Sequence, residues 1–107
     1  MAKYLFKVRY TAEGLQGLLS EGGSARRTAI KGLAEGTGGT VEAFYFALGE
    51  EDAYVICDLP DAKSAAAIAM TVSSTGRVSV TTTELLTAED IDAIAAGPKP
   101  SFTHPGR

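Results

Sequence analysis

The stretch GGTVEAFYFALGEEDAYVICDLPD, Gly38 to Asp61, decides the fold. Two apolar-rich segments, Thr40 to Leu48 and Ala53 to Leu59, flank Gly49-Glu50-Glu51-Asp52, and the second runs into Pro60-Asp61. This order predicts strand, tight turn, strand and helix start. Glycine and short polar residues favour turns, proline cannot extend a strand ladder, and an aspartate oxygen can accept from the first free amides of a helix. The second segment is apolar on both faces except at Asp58, which suits an interior strand of the sheet.

Toward the N-terminus, Lys3 to Tyr10 alternates, with Tyr4, Phe6, Val8 and Tyr10 on one face and Lys7 and Arg9 on the other. Alternation of this kind marks a half-buried strand. Thr11 can cap a helix with the apolar stripe Leu15, Leu18 and Leu19. Gly22-Gly23 interrupts it, and Ser24 can cap a second piece carrying Ile30, Leu33 and Ala34, so the segment reads as one broken helix or two short ones. Gly36 and Gly38-Gly39 end the unit. Toward the C-terminus, Asp61 caps a helix from Ala62 to about Ser74 with Ala65, Ile68, Ala69 and Val72 on one face. Gly76 ends that helix, and Arg77 to Leu85 alternates as a fourth strand. Thr87-Ala88-Glu89-Asp90 fits a capping sequence for a short last helix closed by Gly97-Pro98. Residues 98–107, with three prolines, form an irregular tail beyond a single domain of residues 1–97.

The order β-α-β-β-α-β plus a terminal helix is the split βαβ, ferredoxin-like arrangement: an α+β fold with an antiparallel sheet and helices on one face. Its other face has no cover from its own chain. Leu5, Lys7 and Arg9, or the set containing Phe44 and Phe46, should therefore meet water, a ligand or another subunit. Tyr45 and Tyr54 add aromatic area to that problem. Self-association is the simplest way to bury it, which predicts a homo-oligomer.

Composition narrows the partners. Forty-five per cent hydrophobic residues supply a core. A net charge of -3 with no basic run longer than Arg26-Arg27 argues against nucleic acid. No apolar run approaches the roughly 20 residues that cross a bilayer, so no membrane partner and a cytoplasmic location are expected. Cys57 is alone and sits within an apolar run, so it reads as a small buried thiol. His104, the one histidine, lies in the proline-bounded tail, a poor place for a haem ligand or a catalytic base. No cofactor and no metal site are expected: Glu51, Asp52, Asp58 and Asp61 are close in sequence but suit turn and capping work.

What remains points to a pocket for a small molecule. Tyr10, Tyr45 and Arg9 could supply flat surface, hydroxyl donors and a counter-charge, although core packing or subunit contact serves the tyrosines as well. Gly22-Gly23-Ser24 at a helix start could hold an anion with Arg26 or Arg27 adding charge. Asp58 or Arg9, if directed into an enclosed cavity, would suit acid-base work. The candidate ligand-binding residues are Arg9, Tyr10, Arg27, Tyr45 and Asp58; no catalytic residue is identifiable.

Over nearly its full length the chain resembles the GYD-domain proteins. The resemblance rests on Tyr10-Thr11 with Gly14, Gly22-Gly23-Ser24 before Arg26-Arg27, Gly38-Gly39, Phe44-Tyr45, Gly49 with Asp52, Pro60-Asp61, Gly76, Thr87-Ala88-Glu89-Asp90 and His104-Pro105-Gly106. The glycine-tyrosine-aspartate triplet of the family's name is here Gly49-Glu50-Glu51-Asp52, with Glu51 where tyrosine would stand. The resemblance implies membership of the dimeric α/β-barrel superfamily, whose members include cofactor-independent monooxygenases, haem proteins, isomerases and effector-binding domains. Fold alone does not choose among these. The expectation is an oligomeric small-molecule-binding or interaction module. The alternative is a cofactor-independent monooxygenase or isomerase acting on an aromatic or enolisable substrate.

Overall fold

β1 (Ala2–Tyr10) and β3 (Ala53–Leu59) pair antiparallel at the centre of the sheet, with Tyr4 opposite Cys57, Phe6 opposite Val55 and Val8 opposite Ala53. β2 (Thr40–Phe46) flanks β3 and β4 (Val78–Leu85) flanks β1, giving the antiparallel order β2-β3-β1-β4. Between β1 and β2 lie α1 (Ala12–Glu21) and α2 (Gly23–Gly36); α3 (Ala62–Ser73) joins β3 to β4, and α4 (Ala88–Ala96) ends the order. The computed structural model describes residues 1–106. Its topology is ferredoxin-like, as the sequence predicts, with the first crossover split into two helices.

That split has a local cause. Gly22 sits at φ +88°, a left-handed angle that a residue with a Cβ rarely adopts, and its amide closes α1 onto the Leu18 carbonyl. The starts of α1, α3 and α4 follow the sequence closely, whereas α2 begins at Gly23 with Gly22 as its cap, and Ser24, expected as the cap, lies inside the helix. The Thr11 hydroxyl accepts from the Gly14 amide at 3.2 Å and the Asp61 carboxylate from the Ser64 amide at 2.9 Å. Thr87 and Asp90 exchange both bonds of a capping box. The Ser64 bonds hold the Asp61 carboxyl below its ordinary range.

The core lies between the sheet and the helices. Tyr4, Phe6, Val55, Cys57 and Leu59 from the sheet pack with Ala34 of α2 and Ala65 and Ile68 of α3. Each large side chain fully withdrawn from water here contributes about 1.5–3 kcal/mol. Burial, aided by the Glu84 and Asp61 charges, raises the Tyr4 hydroxyl above its usual pKa, and burial, aided by the Asp58 charge, pushes the Cys57 thiol up to about 11. Cys57 is thus a buried, protonated thiol at neutral pH.

Three expectations need correction. The stripe Leu15, Leu18 and Leu19 does not seat α1: Leu15 and Leu19 are exposed and Gly14 is the one buried residue of the helix. The reason is close approach, since a Cβ on Gly14 would lie 2.1 Å from the Arg77 carbonyl oxygen. The backbone itself fills the place that a leucine would take. The second strand stops at Phe46, short of Leu48, which is fully exposed. The Asp52 carboxylate accepts from the Tyr10 amide at 2.8 Å rather than from an amide of its own turn; its backbone carbonyl accepts from the Ala47 amide and its own amide donates to the Val8 carbonyl. The β2–β3 turn is thereby tied to the end of β1.

α4 stands apart from this body. A single residue, Leu86, separates the end of β4 from the Thr87 cap, and Leu86, Ile91 and Ile94 are all exposed. The radius of gyration is 17.2 Å, against about 13 Å for a compact chain of this length. The longest dimension is 59 Å.

Candidate functional site

α2 rests on β2 and α3 on β4, and between them a cleft of about 410 Å³ opens over the middle of the sheet. Its floor is Phe6, Val8, Val55 and Cys57, its walls Ile30 and Leu33 of α2 and Ile68 and Val72 of α3. One end is polar, where Tyr10, Glu21, Arg26 and Arg77 meet the rim. The sequence brings them together simply. Tyr10 ends β1 opposite Val78, the Thr11 amide donates to the Arg77 carbonyl at 2.8 Å, and Arg26 shares an i, i+4, i+7 row on α2 with Ile30 and Leu33.

The Arg26 guanidinium donates through Nη2 to Glu21 at 3.0 Å, while its Nε is covered and has no acceptor among the described residues. Burial raises the Tyr10 pKa, opposed by the Arg26 charge and assisted by Asp52 and Glu21. Tyr10 is therefore a neutral O–H at pH 7. The site is amphipathic: an apolar trough long enough for a ring or chain, with a guanidinium and a phenol at one end. Volumes of this size are typical of small-molecule sites.

A second gap, of about 500 Å³, lies under α4 between Met1, Lys3, Glu84 and Ile94. It is walled by the detached helix and has no buried floor.

The residues singled out in the sequence divide among three places. Tyr10 lies on the cleft. Arg27 is on the exposed side of α2, and its neighbour Arg26 takes the position facing the cleft. Arg9, Tyr45 and Asp58 are on the other, open face of the sheet. There Tyr45 lies opposite Tyr54 and is 71% exposed. Asp58 accepts from Lys3 at 2.7 Å, and Lys3 also bonds Glu42. These two bonds, that to Asp58 first, hold the Lys3 ammonium above its ordinary pKa. Arg9 pairs with Glu51 at 3.4 Å, so the turn glutamate neutralises a strand cation. Neither Arg9 nor Asp58 faces the enclosed cleft. Glu21 and Arg77 were not among the sequence candidates, and Arg26 was weighed only as an alternative to Arg27; the i, i+4, i+7 row through Arg26 is the signal that separates the two.

Phe44 and Phe46 turn toward the helices, edge to face at 5.2 Å, because β2 carries a bulge between Val41 and Ala43. The extra residue reverses the alternation, placing Val41 and Phe44 on one face although they are three positions apart. His104 packs edge-on against Phe102 in the tail. Among the described residues no group of three or more His, Cys, Asp or Glu could hold a metal ion, and no helix is long and apolar enough to cross a membrane.

No curated protein and no solved structure matches the chain. The family model described as GYD domain matches residues 4–95, from the second buried-face residue of β1 to the last turn of α4, and by that match the chain belongs to the GYD-domain family.

Proposed function

We propose that this GYD-domain protein is a self-associating module that binds a small molecule in the cleft between α2 and α3. The cleft is the observation that carries the reading: a trough floored by Phe6, Val8, Val55 and Cys57, with donors gathered at one end, is built to hold a largely apolar guest in one orientation. Self-association is supported by the open face, where Leu5, Ile56, Tyr45 and Tyr54 gather apolar and aromatic surface on neighbouring strands. Two copies packed through this face would leave both clefts on the outside of the pair.

The reading as an oxygenase or isomerase needed Asp58 or Arg9 in an enclosed pocket. Both instead sit in ion pairs on the open face, so binding is favoured over catalysis. Native mass spectrometry of freshly purified protein tests the proposal. The expected spectrum shows a homo-oligomer carrying a small adduct that leaves on mild activation. A bare monomer at micromolar concentration would count against both parts of it.

A further inference from the structure

We infer that the cleft selects an anion, its occupant being an aromatic or chain-like apolar molecule with one carboxylate, which Arg26 and the Tyr10 hydroxyl meet at the polar end. This rests on the cleft being a binding site and adds what that site chooses.

The case is one of unspent donors. Arg26 uses one nitrogen on Glu21, while its Nε has no acceptor. The Tyr10 O–H makes no hydrogen bond among the described residues; its amide, not its phenol, is the group held by Asp52. Arg77, on the same rim, has among the described residues only Glu13 as an ionic partner, at 3.5 Å, with both side chains largely in water. Donors facing an apolar trough call for an acceptor, and a charged acceptor answers a guanidinium more strongly than a neutral one.

The neighbouring charges set the limit on that acceptor. A cationic guest would face two guanidinium groups. A phosphate dianion would bring two charges beside Glu21 and Asp52, whereas a carboxylate brings one and matches the planar edge of arginine. Glu21 is the natural competitor for Arg26. Its pairing with Arg26 is at the surface, with both side chains partly solvated, and a pair of that kind is easily exchanged for a better-buried partner.

Isothermal titration calorimetry with 2-naphthoate and its uncharged counterpart 2-naphthamide tests the inference on the full chain. The unmodified protein is expected to bind naphthoate about tenfold more tightly than naphthamide. Glu21→Gln, an exposed change, is expected to widen that preference by about threefold. Arg26→Gln should bring the two probes to parity, and Arg26→Lys should restore part of the difference. Equal affinity of the probes for the unmodified protein would overturn the anion selection and leave the cleft as an apolar site. A preference that survives Arg26→Gln would overturn the role of Arg26. Should Arg26→Gln not fold, an unchanged preference in Glu21→Gln would overturn it instead. Binding of neither probe would remove the cleft reading, and this inference with it.

Discussion

On β3, Val55, Cys57 and Leu59 lie beneath the helices, while Tyr54, Ile56 and Asp58, each one step along the same strand, face the other way. β1 repeats the contrast, with Tyr4 and Phe6 buried and Lys3, Leu5, Lys7 and Arg9 opposite. The covered face contains no buried charged side chain. The open face carries the Lys3–Asp58–Glu42 group at one end, the Arg9–Glu51 pair at the other and two tyrosines between. A protein needing only to stay folded could have left the second face uniformly polar. Aromatic surface framed by ion pairs is instead the composition of a face that meets another protein surface, with apolar residues at the middle and charges at the rim. The comparison assigns stability to one face; association through the other is what we propose.

That division can be broken most directly at Leu59, which is fully buried. Leu59→Ala is expected to lower unfolding free energy by about 3 kcal/mol, read by urea denaturation and unchanged by protein concentration. A loss under about 1 kcal/mol would mean that this face is not the folding core.

A gentler probe of the same face is alkaline pH. The Cys57 thiol has an ordinary value of 9.0 and is held at about 11 in the fold. Above 9 the unfolded chain therefore releases a proton that the folded chain keeps. Stability from this group is complete below pH 9 and is lost as pH rises toward 11, a change on the order of 2 kcal/mol. Tyr4 and Tyr10, also raised by burial, add to the loss above pH 10. Cys57→Ala should start less stable but fall less steeply between these limits. Parallel curves for the two proteins would show that the thiol is not shielded as the structure has it.

The smallest effects on folding belong to the open face. Tyr45→Ala should change subunit unfolding by less than about 0.5 kcal/mol, yet raise the dissociation constant of the oligomer by about tenfold, measured by light scattering across a dilution series. Thr81→Ala, on the edge strand β4, should change neither beyond a few tenths of a kcal/mol. Equal effects of the two substitutions on assembly would remove Tyr45 from the interface and blur the contrast between the faces.

How far the sequence spoke for the structure depends on the range of the interaction that decides each feature. Strand alternation in β1, the β2–β3 hairpin, the Asp61 cap, the Ala65-Ile68-Ala69-Val72 face and the Thr87-Asp90 capping box are all local, and all were legible. Two things were not. The bulge near Glu42, which turns Phe44 and Phe46 inward, depends on pairing with β3 and leaves no local mark. The outward tilt of Leu15 and Leu19 follows from the contact of Gly14 with the backbone at Arg77, more than sixty residues away. The candidate site was legible in part. Tyr10 reaches the cleft; Arg27, Arg9, Tyr45 and Asp58 do not, because a charge or ring on a strand or helix declares its type in the sequence but its face only through the register of its neighbours. Arg26, in phase with Ile30 and Leu33, shows where periodicity could have sharpened the choice.

α4 hangs from the last strand by Leu86, and its nine residues are too few to persist as an isolated helix in water. Its hydrogen-bond ladder is consequently free to open while every sheet contact stays in place, so the chain has two cooperative units of unequal size. A single melting temperature then describes the sheet and its covering helices only.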